Sequence, residues 1–193
     1  MNMISAEFRT LLITLIVVMF SSCVGDGAEN TETPVVPEQE ELIGLNFWKN
    51  HQTECMTIVT GATSILSVVD KFDGERYRGS TPVPGVYTIA KSITTDLDGD
   101  DLPEIMVLLM DRDMNSPLLK CFTNKARGRL LEIPVPNLPM FIYENYQGGD
   151  ELKLVESSIN HSVNYMANGK PAKAVFVYSW DAEKEALTIN EQR

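Results

Sequence analysis

The sequence predicts a mainly β fold: an antiparallel meander or sandwich-like sheet forming a single domain over residues 42–193. Three observations predict it. Apolar segments of strand length recur along the body with short turns between them. The run IMVLLM at Ile105–Met110 has the length of a strand buried on both faces, not that of a helix. Asn168-Gly169, between two β-rich segments, favours a tight hairpin turn because both residues tolerate positive φ. The whole chain has 193 residues, 44% hydrophobic and 22% charged, which suits one packed domain with a tail and is too apolar for a disordered protein.

In chain order, residues 61–72 are open between a short helix and a strand. Ile65, Leu66, Val68, Val69 and Phe72 fall at helical spacing, and Gly74 would close such a helix, but the β-branched content suits a strand. Asp70, Asp73 and Glu75 around Gly74 read as a helix-ending turn. Strands are expected at 86–95 and 105–110. Residues 118–123 and 129–133 flank a hairpin loop at 124–128. Pro134, Pro136 and Pro139 interrupt the middle, since proline cannot sit in a central strand. Further strands are expected at 152–156, 159–165, 174–180 and 187–190, the last after a turn opened by Asp181.

The N-terminus is an address. Leu11–Phe20 reads LLITLIVVMF, about half the roughly 20 residues a membrane span needs, so it fits the apolar core of a secretory signal over residues 1–22. Phe20-Ser21-Ser22-Cys23 then resembles the lipobox of bacterial lipoproteins, which implies cleavage before Cys23 and lipidation of its sulfur. Residues 23–41 hold Asp26, Glu29, Glu32, Glu38, Glu40 and Glu41 with no basic residue, which predicts a disordered acidic tether. An acidic stretch behind a lipidated Cys resembles the export signal of Bacteroidetes-type surface lipoproteins. The expectation is an outer-membrane lipoprotein of the cell envelope, periplasmic or surface-exposed, with the membrane as a partner through its lipid.

One loop carries metal chemistry. Asp96, Asp98 and Asp100 alternate, Gly99 lets the backbone turn, and Glu104 follows. Calcium takes six to eight oxygen ligands, and gathered carboxylates repel one another without a cation. An EF-hand fails on spacing: its glycine and final glutamate positions fall on Asp101 and Val107. The segment instead resembles the calcium hairpin of FG-GAP and VCBS repeats, D-x-D-G-D-G-x-x-D before an apolar strand. Asp101 stands for the second Gly and Glu104 for the last Asp. The resemblance implies Asp96, Asp98, Asp100 and Glu104 as side-chain ligands, the Leu102 carbonyl as a further ligand, and a structural Ca²⁺. It covers this hairpin alone; a propeller needs several copies. The order of elements also loosely resembles the periplasmic inhibitors of invertebrate-type lysozyme.

Other groups carry less. Asp111, Asp113 and Asn115 alternate but lead into Pro117, so they read as an acidic turn. Cys55 and Cys121 either form a disulfide in an oxidising envelope or remain buried thiols. His51 lies four residues from Cys55 with no further catalytic signature. His161 falls on an expected strand as a surface or half-buried side chain. Tyr143, Tyr146, Tyr165, Tyr178 and Trp180 read mostly as core. With 16 Lys plus Arg against 27 Asp plus Glu, and a net charge of −11, a nucleic-acid partner is excluded. Together these features predict a non-enzymatic envelope binding module for a protein or glycan. The alternatives are an inhibitor of a lysozyme-like hydrolase and an envelope hydrolase without a recognisable motif.

Overall fold

The computed structural model describes residues 45–48, 50–113, 115–126 and 128–192, all within one compact unit, Val36–Arg193. The expected signal, Cys23 and the expected tether lie outside the described residues.

Among the described residues, twelve strands form three antiparallel meanders, consecutive in sequence. The first sheet holds β1 (Leu45–Trp48), β2 (His51–Thr60), β3 (Thr63–Phe72) and β4 (Glu75–Pro84). The second holds β5 (Tyr87–Thr95), β6 (Glu104–Asp111), β7 (Pro117–Thr123) and β8 (Leu131–Ile133). A short helix, α1 (Met140–Glu144), leads to the third, β9 (Tyr146–Val155), β10 (Ser158–Ala167), β11 (Lys170–Asp181) and β12 (Ala186–Gln192). The mainly β expectation holds.

The second sheet is the middle layer. Along β6, Ile105, Val107 and Leu109 join a cluster with Cys55, Leu66 and Val68 of the first sheet. Met106 and Leu108 point the other way, into a cluster with Leu152, Ile159, Val163, Phe176 and Tyr178 of the third. The continuous apolar run is thus a strand covered on both faces, as its length predicts.

Residues 63–72 are a strand, not a helix. β3 pairs along its whole length with both β2 and β4, so its backbone groups are satisfied across the sheet. The helical spacing counted Ile65 as inward, but that side chain is 37% exposed while Leu66 and Val68 are buried. Asp73 and Gly74 do not end a helix. They form a two-residue hairpin turn with φ of 48° and 87°. Asn168-Gly169 makes the same kind of turn between β10 and β11, as expected. Asp111 accepts a hydrogen bond from the Asp113 N–H at 2.8 Å, which organises the acidic turn between β6 and β7.

Cys55 and Cys121 are free and buried. The disulfide weighed from sequence is not formed. Cys55 faces the cluster under the first sheet and Cys121 the cluster under the third, so the middle sheet separates the two sulfurs.

Candidate metal centre

The loop from Asp96 to Pro103 joins β5 to β6, and its base is closed where Thr95 pairs with Glu104. Its own carboxylates fold it. Asp96 accepts the Gly99 N–H at 2.7 Å through Oδ1 and the Asp101 N–H at 3.0 Å through Oδ2. Asp98 accepts the Asp100 N–H at 3.2 Å, and Asp100 the Leu102 N–H at 2.9 Å. These side chain-to-backbone bonds are the turn chemistry that makes Asp a loop former. Gly99 (φ 81°) and Asp101 (φ 66°) are left-handed. Asp101 thus carries a Cβ in a conformation that favours glycine.

The result is a convergence of three carboxylates. Oxygens of Asp96, Asp98 and Glu104 lie within 4.8 Å of one another. Two oxygens on opposite sides of a calcium ion are roughly 5 Å apart, given Ca–O distances of about 2.3–2.6 Å. Glu104 is completely buried at the start of β6. Its Oε2 accepts the Leu97 N–H at 2.9 Å, while Oε1 meets no well-aligned donor. Burial pushes its carboxyl up to about 7, against the pull of the Leu97 N–H. An all-oxygen donor set with one buried, unsatisfied carboxylate oxygen fits a hard divalent cation. Of the five ligands the sequence suggested, the structure gathers Asp96, Asp98 and Glu104. Asp100 is not in the cluster, because Oδ1 is turned to the Leu102 N–H and Oδ2 lies 3.5 Å from Lys125 Nζ.

No family model, curated protein or solved structure matches the chain. What the centre can do is therefore read from its own residues.

Two parts of the surroundings escaped the sequence reading. Lys125, just beyond β7, contacts Asp98 Oδ2 and lies over the Trp180 ring at 5.4 Å. Its amine is held above its ordinary range chiefly by the bond to Asp98. Beside it is an open groove of about 360 Å³ lined by Asp98, Asp100, Lys125, Trp180, Ala182 and Glu185. Behind the loop is a buried polar network centred on Asp70. His51 Nδ1 is 3.1 Å from its Oδ2, Thr53 donates to Oδ1 at 3.3 Å, and Asn124 Nδ2 donates at 3.4 Å. Thr53 also meets Thr94 at 2.8 Å. The network ties the stems of the carboxylate loop (Thr94) and of Lys125 (Asn124) to the first sheet. Its signal in the sequence was polar residues at alternate positions of β2, where His51, Thr53 and Thr57 all point inward.

The remaining candidates are structural. Burial pushes the Cys55 thiol up to about 12 and the Cys121 thiol higher still, so neither is a thiolate nucleophile. His161 is fully buried, not half-exposed, with Nε2 2.5 Å from Asp150 Oδ1. Tyr178 is core, and Tyr143, Tyr146, Tyr165 and Trp180 pack partly buried against it, as expected.

Proposed function

We propose that this chain is a non-enzymatic binding module of the bacterial cell envelope, held to the membrane by a lipid on Cys23 and braced by one calcium ion in the 96–104 loop. The observation that carries the metal is the fully buried Glu104 carboxylate, one oxygen of which has no well-aligned donor, gathered within 4.8 Å of carboxylate oxygens of Asp96 and Asp98. Asp96, Asp98 and Glu104 would hold the ion, with Asp100 and the Leu102 carbonyl free to join by rotation of the loop's exposed rim. The ion supplies charge neutralisation and a cross-link between the ends of β5 and β6. Because β6 is packed on both faces, a fixed β6 end steadies both cores. The binding reading is supported by the burial of His51, His161, Cys55 and Cys121, which takes these candidate bases and nucleophiles, among the described residues, away from solvent. It leaves the groove beside Trp180 as the polar recess in which a protein or glycan partner would be met.

Thermal unfolding in excess calcium and then in chelator tests the metal. Calcium raises the melting temperature of the wild-type chain and not that of Asp98→Ala. Equal melting in both conditions removes the calcium brace. Incorporation of labelled palmitate, lost in Cys23→Ala, tests the anchor; labelling of neither chain refutes it.

A further inference from the structure

The cation already present at the metal loop is the chain's own. Lys125 Nζ contacts Asp98 Oδ2 and lies 3.5 Å from Asp100 Oδ2. The Asp98 side chain is 3% exposed, that of Lys125 44%. The contact is an ion pair that also carries hydrogen-bond character. On its other side the ammonium faces Trp180, whose ring offers a second favourable seat for a positive charge. The backbone beneath the lysine is anchored, since the Lys125 N–H donates to Thr123 Oγ1 at 3.3 Å and the neighbouring Asn124 donates to Asp70 at 3.4 Å.

A calcium ion bound to Asp98 must sit about 2.3–2.6 Å from the carboxylate oxygen. An ammonium in contact with the same carboxylate repels that ion, so each weakens the other's hold on Asp98. Nor can the ammonium replace the metal fully: it contacts Asp98 and leaves the buried Glu104 oxygen unsatisfied.

We propose that Lys125 is a tethered competitor of the metal ion: it neutralises Asp98 in the metal-free loop and swings into the groove against Trp180 when a divalent cation takes the carboxylate. The proposal deepens the calcium reading and rests on it. It gives the loop a regulated affinity. The internal cation keeps the empty loop folded, so the metal must displace it and binds more weakly than three converging carboxylates alone would allow. It also links the ion to the groove, because the displaced ammonium enters the space between Asp100, Trp180 and Glu185. By linkage, a ligand that holds Lys125 in the groove tightens calcium binding by the factor by which calcium tightens its own.

The test is calcium titration calorimetry on the wild-type chain, Lys125→Met and Lys125→Arg, with thermal melts of each in chelator. Methionine keeps an apolar stem and removes the charge; arginine keeps the charge and controls for folding. The expected result is calcium binding about tenfold tighter in Lys125→Met, from loss of one competing charge beside a carboxylate, with a lower melting temperature in chelator. Lys125→Arg stays near wild type. In a Trp48→Phe background, calcium changes the Trp180 emission of the wild-type chain and leaves that of Lys125→Met unchanged. Equal calcium affinity in wild type and Lys125→Met overturns the competitor and leaves the calcium site standing. Absence of binding heat in all three chains overturns the site, and the competitor with it.

Discussion

Glu104→Gln should act with opposite sign in the absence and presence of metal. The glutamine fills the same space and keeps an oxygen for the Leu97 N–H, which Oε2 now accepts at 2.9 Å. What it removes is a buried negative charge. The folded carboxyl is raised from 4.5 to about 7, chiefly by burial. A raised carboxyl pKa means that the folded chain holds its proton where the unfolded chain has lost it. Stability is therefore full below about pH 4.5 and declines as pH rises to about 7, after which the loss is constant. At about 1.4 kcal/mol per decade, the loss at pH 8 is about 3 kcal/mol. For a domain of this size that is roughly 6–12 °C of melting temperature. In chelator at pH 8, Glu104→Gln should melt higher than wild type by about this amount. At pH 5 the gain should shrink to below about 1 kcal/mol, because the wild-type carboxyl is then protonated when folded. In saturating calcium the order should reverse, since the wild-type chain gains an ion that glutamine binds poorly. Differential scanning calorimetry of both chains at both pH values, with and without calcium, measures all four quantities. A Glu104→Gln chain no more stable than wild type in chelator at pH 8 would refute the reasoning, because the buried charge would then cost nothing.

Other outcomes follow from the same geometry. Wild-type calcium affinity should fall as pH drops below about 7, because a proton then competes for Glu104; titration calorimetry at pH 8 and pH 6 reads it. Gly79→Ala should destabilise by about 1–3 kcal/mol in chemical denaturation, because a Cβ there would lie 2.9 Å from Leu130 Cβ and 3.1 Å from Phe122 Cδ1. Asp101→Gly should stabilise by up to about 1 kcal/mol, since it relieves a φ of 66° on a residue that carries a Cβ; a lower midpoint in urea would contradict it. Cys55 and Cys121 should resist a thiol reagent in the native state and react promptly in denaturant, given their burial.

Local features of this fold were legible in the sequence and distant ones were not. The Ile105–Met110 run announced a doubly covered strand, because burial on both faces demands apolar residues at every position. The carboxylate cluster was partly legible from local spacing: Asp96, Asp98 and Glu104 lie within nine residues and come together, while Asp100, counted with them from the sequence, does not. β4 was not read, since Gly79, Pro82 and Pro84 speak against a strand. It survives as the edge of its sheet, where a proline need not supply a ladder N–H on the open side. β3 stayed ambiguous because pairing with β2 and β4 decides it, and periodicity within one segment cannot register that. Lys125 lies in the loop after β7 and Trp180 near the end of β11, in different sheets, so their meeting beside Asp98 arises only from packing. Asp70 was read as part of a turn because a lone carboxylate gives no sign of the His51, Thr53 and Asn124 groups that surround it.

The order of the three meanders also sets an order of assembly. Each sheet is contiguous in sequence, so a chain emerging from a ribosome or a translocation pore releases one complete meander at a time. The first must wait with its inner face uncovered. That face carries His51, Thr53, Thr57 and Asp70 among its apolar residues, and these can be hydrated during the wait. The middle meander, greasy on both sides, arrives next to a partner already formed. The third brings Leu152, Ile159, Val163 and Phe176 last, onto a surface ready to receive them. The polar groups on the inner face of the first sheet should therefore make that sheet less prone to aggregate while it is uncovered.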